Sequence, residues 1–158
     1  MKIDIARQPL VPAFMTLFAL AVAAMCAGIP VSDTSGAVRD ALPLLGGQLA
    51  RFQAAYPVWS KFAAGFMLLF TGMCAGRITI RYNLYTVGTC LPIPLYAIVA
   101  CGITTGGNYL AGFAASMLLA LATKNYCRAF CNGYGFDAIF RASLYLGLMP
   151  LIYAPALP

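Results

Sequence analysis

The sequence predicts an all-helical, polytopic transmembrane bundle, and three observations carry that expectation. Hydrophobic residues make up 62% of the chain and charged residues 9%, whereas a soluble domain carries roughly 25% charged residues. Mean hydropathy is +0.84. Uncharged stretches recur along the chain, each near the ~20 residues a helix needs to cross the hydrocarbon core. The 158 residues hold about five or six such spans in one bundle, with no room for a soluble domain of ordinary size, so 1–158 reads as a single domain.

The first span runs from Leu10 to Gly28 without a charge. Lys2 and Arg7 precede it and small residues close it at Ala27 and Gly28, as in a signal peptide. Its length of about 19 residues is long for a cleavable apolar region, so it reads as a retained span. The connection from Pro30 to Tyr56 alternates apolar clusters with Arg39, Asp40 and Arg51 and breaks at Pro43 and Gly46-Gly47. Two short interfacial helices lying on the membrane fit it best; a re-entrant element shaping a substrate entry is the alternative.

The second span is Pro57–Gly76, with Lys61 reaching the interface and Tyr56 and Trp59 at headgroup level. The third, Tyr82–Ile103, carries Pro92 and Pro94 and is expected to kink or break there. The fourth runs over Thr105–Thr123 and the fifth over Ala142–Pro158, interrupted by Pro150 and Pro155.

Basic residues near the span ends set the orientation. With a cytoplasmic N-terminus, Lys2, Arg7, Arg77, Arg81, Lys124, Arg128 and Arg141 lie inside and Arg39, Arg51 and Lys61 outside. Seven against three favours that arrangement, a multi-pass protein of a bacterial inner membrane with its C-terminus outside. The net charge of +6 then reflects topology and attraction to anionic lipid, and nucleic acid is not an expected partner. Arg77, Arg81, Arg128 and Arg141 form the expected cytoplasmic girdle contacting lipid phosphate.

Small residues mark expected helix contacts. Gly65, Gly72 and Gly76 punctuate the second span, the last two as a GxxxG, and Gly112, Ser116 and Ala120 share one face of the fourth. Such residues let backbones approach where hydrophobicity no longer drives association. Packing within the chain is the plainer reading and oligomerisation through the same stripe the sharper one.

Catalytic equipment is scarce. The chain has no histidine, and its acids are Asp4, Asp33, Asp40 and Asp137. Ser/His/Asp and Cys/His machinery, histidine-bound zinc and facial-triad iron are therefore excluded within this chain. Asp33 and Asp40 share the outside loop and are the weak candidates for a cation site or an acid/base pair, with helix caps or solvated loop acids the plainer role. No cofactor or metal is expected. Cys26 and Cys101 lie near the outer ends of spans one and three, where a bridge is conceivable, but all six cysteines read most simply as small apolar fillers. Asp137 is expected to start a helix after the turn at Gly133 and Gly135 and to pair with Arg141 at i+4, worth a few tenths of a kcal/mol.

The stretches NYLAGFAASMLLALATKNYCRAF, GFDAIFRASLYLGLMPLIYAP and RYNLYTVGTCLPIPLYAIVACGI together resemble the N-terminal half of an uncharacterised family of polytopic inner-membrane proteins from Bacteroidota. The resemblance covers roughly residues 77–158 by sequence and the remainder by layout. Relatives are longer and have further spans, which implies that this chain matches only part of their bundle. Members sometimes carry a carotene monooxygenase label; such enzymes hold iron with histidines, and a chain without histidine does not fit it. The functional expectation is a non-catalytic membrane component packing with a membrane-protein partner or a second copy. The alternative is a transferase or polymerase-like protein handling lipid-linked glycans, and a small transporter comes third because no ionisable group falls convincingly mid-span.

Overall fold

The computed structural model describes residues 10–26, 44–82, 90–103, 109–131 and 135–153, and among them the protein is all-helical, with six helices and no strand. These are α1 (Leu10–Cys26), α2 (Leu44–Ala55), α3 (Pro57–Arg81), α4 (Pro92–Ile103), α5 (Tyr109–Cys131) and α6 (Phe136–Ile152). One described helix, α3, is long and apolar enough to cross a membrane, with a mean hydropathy of 1.5 in its most apolar part.

Proline and glycine set the boundaries more than charge does. Pro57 opens α3 at the position where a missing N–H costs nothing, and α2 ends just before it. The Ser60 amide already bonds the Tyr56 carbonyl at 2.9 Å. α3 then runs 25 residues to Arg81, past the expected end at Gly76. Pro92 and Pro94 stand in the first turn of α4, so of the kink or break expected there they mark a helix start, and residues 83–89 of the expected span lie outside the described residues. α5 continues to Cys131, eight residues beyond the expected span end at Thr123, and α6 begins at Phe136, one residue before the helix start expected at Asp137 and ahead of the span expected from Ala142. Gly135 precedes α6 and its carbonyl accepts from the Ala138 amide at 2.8 Å. α6 passes through Pro150, and the Tyr153 amide closes it on the Met149 carbonyl.

α3 is the hub, packed against α1, α2, α4 and α5, while α6 lies mainly along α5 and is also touched by α2. The interior is built from small side chains around a few large ones. Leu17, Leu68, Ile93 and Leu110 are almost fully buried among Ala13, Ala21, Ala64 and Ala97. Gly72 and Gly76 show why small residues are needed. A Cβ on Gly72 would stand 2.8 Å from Leu17 Cδ1, and one on Gly76 would collide with the Ile93 side chain. The GxxxG therefore seats α1 and α4 on α3 within one chain, and Gly65 is buried on the same helix.

Candidate anion-binding site

Two hydroxyls fix the register of α3 against α5. Ser60 Oγ donates to the Pro57 carbonyl at 2.8 Å, which leaves Tyr109 as donor in the 2.6 Å Ser60–Tyr109 bond. Ser60 and Tyr109 are thus level, at the start of both helices, and both are buried. With the helices running parallel, Arg81 arrives level with the end of α5. The separation is ~32 Å at 1.5 Å per residue. Arg81 and Arg128 stand in the last turns of their helices, where cations complement the carbonyl ends.

At this end α3, α5 and α6 line a partly open cavity of about 340 Å³. α5 supplies Leu121, Lys124, Asn125 and Arg128, a 3- and 4-residue spacing that keeps all four on one helix face. α3 supplies Arg81, the residue after it is Tyr82, and α6 supplies Arg141 and Tyr145. Asn125 Nδ2 donates to the Leu121 carbonyl at 3.0 Å, so its Oδ1 is not used by that bond.

The charge here is unbalanced. Asp137 is the one acid among the described residues, and it is taken by Arg141 through contacts of 3.0 Å and 3.1 Å. Four cations against one carboxylate leave a net +3 around the cavity. The cationic side chains are exposed, which hydrates them and makes their assembly tolerable without further acids.

The fold therefore brings Arg81, Arg128 and Arg141 together and adds Lys124, with Tyr82, Asn125 and Tyr145 as further polar lining. Arg77 is exposed on α3 and is not part of the lining. The i, i+3, i+4, i+7 spacing from Leu121 to Arg128 was the signal available for Lys124 and Asn125; nothing local marks Tyr82 or Tyr145.

The other expected residues distribute differently. Asp33 and Asp40 lie outside the described residues, as does about half of the connection that holds them. Of the two interfacial helices expected there, α2 is the one described. Ser116 donates to the Phe113 carbonyl and accepts from Tyr96 at 3.2 Å, tying α5 to α4. Gly112 is half-buried and a Cβ there would touch nothing within 4 Å, so it seats no neighbour among the described residues. Cys74, Cys90, Cys127 and Cys131 are free; Cys131 is exposed and so is not the buried filler the sequence suggested. The side chains of Cys26 and Cys101 lie outside the described residues. No group of three or more His, Cys, Asp or Glu among the described residues is placed to hold a metal ion. No family model, curated protein or solved structure matches the chain.

Proposed function

We propose that the protein is a multi-pass inner-membrane component with a cytoplasmic N-terminus and five spans, which packs with other membrane proteins and meets anionic lipid at its basic end. One observation carries the membrane part of this reading: the distribution of side-chain size is inverted relative to a water-soluble bundle. Alanine and glycine fill much of the interior, while Phe62, Phe66, Trp59, Ile98 and Val99 are each more than half exposed. Water would penalise that apolar surface, and lipid would not. Small residues inside and large ones outside is how helices pack when their solvent is hydrocarbon.

Two further features agree. The hydroxyls of Thr16, Thr71, Thr79, Thr123 and Ser143 each donate to a carbonyl of their own helix, so they need nothing from the surroundings. Along α3, the aromatic end at Tyr56 and Trp59 and the basic end at Arg77 and Arg81 are separated by roughly the ~30 Å of a hydrocarbon core. α1, α4 and α6 are shorter than α3. Their outward faces are equally apolar, as with Phe14 and Phe18 on α1 and Phe140 and Leu144 on α6; the 17 residues of α1 and of α6 reach ~26 Å, near the thickness of a core, while the 12 residues of α4 reach only ~18 Å and cover part of a span.

Native mass spectrometry of protein gently extracted from its own membrane tests the proposal. A co-purifying membrane protein or a defined homo-oligomer is expected. A lone chain carrying a polyprenyl-linked glycan would replace this reading with that of a transferase acting on lipid-linked glycans and would direct attention to Asp33 and Asp40.

A further inference from the structure

We infer that the cavity between α3, α5 and α6 is a discrete binding site for a phosphate group carrying two or more negative charges, a phosphomonoester or a diphosphate. The inference deepens the anionic-lipid contact proposed above, and that contact alone would require only scattered surface cations. Three features make the cavity more than that. First, cations from three helices converge on one volume: Arg81 from α3, Lys124 and Arg128 from α5, and Arg141 from α6. Convergence from separate elements is what positions donors around one group, and a guanidinium fork matches phosphate oxygens.

Second, the charge is uncompensated. After Asp137 has paired with Arg141, the cavity retains +3, with no other acid among the described residues to oppose it. A singly charged phosphodiester leaves most of that charge unanswered, whereas a phosphomonoester near −2 or a diphosphate answers it. Third, size and lining suit a headgroup. About 340 Å³ is at the lower end of the roughly 300–1,000 Å³ of small-molecule sites. Tyr82, Asn125 and Tyr145 add neutral polar groups, and Leu121 gives an apolar wall.

A phosphate group of this kind is carried by a lipid such as phosphatidic acid or by a soluble phosphorylated compound, and the test separates the two. The full chain is reconstituted in phosphatidylcholine nanodiscs, and retained anions are read by native mass spectrometry. One arm adds phosphatidic acid or, at equal mole fraction, phosphatidylglycerol; the other adds inorganic pyrophosphate to neutral discs. Preferential retention of phosphatidic acid supports a lipid ligand, and retention of pyrophosphate without preference between the two lipids supports a soluble one. In either case Arg128→Gln and Arg81→Gln each lower retention by about tenfold. Lys61→Gln removes one charge at the opposite end of α3 and leaves retention unchanged.

Retention of neither dianion above phosphatidylglycerol overturns the inference, as does an equal loss from Lys61→Gln and Arg128→Gln. These outcomes are distinct from failure of the membrane reading. If the native protein fractionates away from membranes, that reading falls. Pyrophosphate retention by the same protein in solution, with the same dependence on Arg128, still decides the cavity.

Discussion

The two ends of the α3–α5 pair solve the same packing problem in opposite ways. At the start of the helices a neutral hydroxyl pair, Ser60 and Tyr109, closes the contact at 2.6 Å with Ala64 and Ala111 buried nearby in sequence. At the other end Arg81, Lys124 and Arg128 face a cavity, with α6 adding Arg141. Hydroxyls and alanines can be brought together because one hydrogen bond satisfies the polar atoms and nothing repels. Like charges cannot be closed on one another without counter-charge, so they keep their distance and their water. One end of the bundle is thus specified by its own residues, and the other is left incomplete in charge.

Breaking the packed region should have the largest effect. Gly76→Ala places a Cβ against the nearly buried Ile93 and should cost about 1–3 kcal/mol in reversible unfolding in detergent. Ile93→Ala in the same chain should recover part of that loss. Gly112→Ala adds a Cβ where nothing stands within 4 Å. It should be neutral or stabilising by up to ~1 kcal/mol from helix propensity alone, so a loss like that of Gly76→Ala would mean Gly112 faces a partner.

The closed end is broken more gently by Tyr109→Phe. It removes the donor to Ser60 while Ser60 keeps its bond to Pro57. A loss of about 0.6 kcal/mol is expected for a hydrogen bond between membrane helices; no change would show that alanine packing alone sets the register. Asp137→Asn sharpens the open end. Removing an exposed i, i+4 ion pair should cost only ~0.3–0.5 kcal/mol. It frees Arg141, so retention of phosphatidic acid or pyrophosphate should rise while thermal stability barely moves.

The helices themselves were legible because uncharged runs and proline positions mark them. Their extents were legible only in part, at Pro57 and near Asp137. Lys124 and Arg128 suggested that the fourth span had ended, yet α5 continues through them because a cation on an exposed helix face breaks no backbone bond. Ala122 and Ala129, seven residues apart, keep the buried stripe running past them. At Pro92 and Pro94 the sequence leaves a kink and a break both open, because the composition around them is apolar on both sides and does not say where the first turn falls. Of the site, the basic character of one end was readable from the positions of Arg81, Arg128 and Arg141. A phosphate headgroup shared by Arg128 and Arg141 was also readable across the short turn between their helices; that Arg81 and Lys124 join them on one volume was not, because it depends on the register that Ser60 and Tyr109 set between helices distant in sequence.

The sidedness of the basic end decides whether the cavity faces the cytoplasm. Cys131 is exposed at the end of α5, at the end of the helix that lines the cavity. A variant keeping Cys131, with the other five cysteines replaced by alanine, is treated with a membrane-impermeant maleimide in intact cells and in inverted inner-membrane vesicles. No labelling is expected in intact cells and full labelling in inverted vesicles. Labelling of Cys131 from outside intact cells, or recovery of the native protein in the soluble fraction, would contradict that expectation.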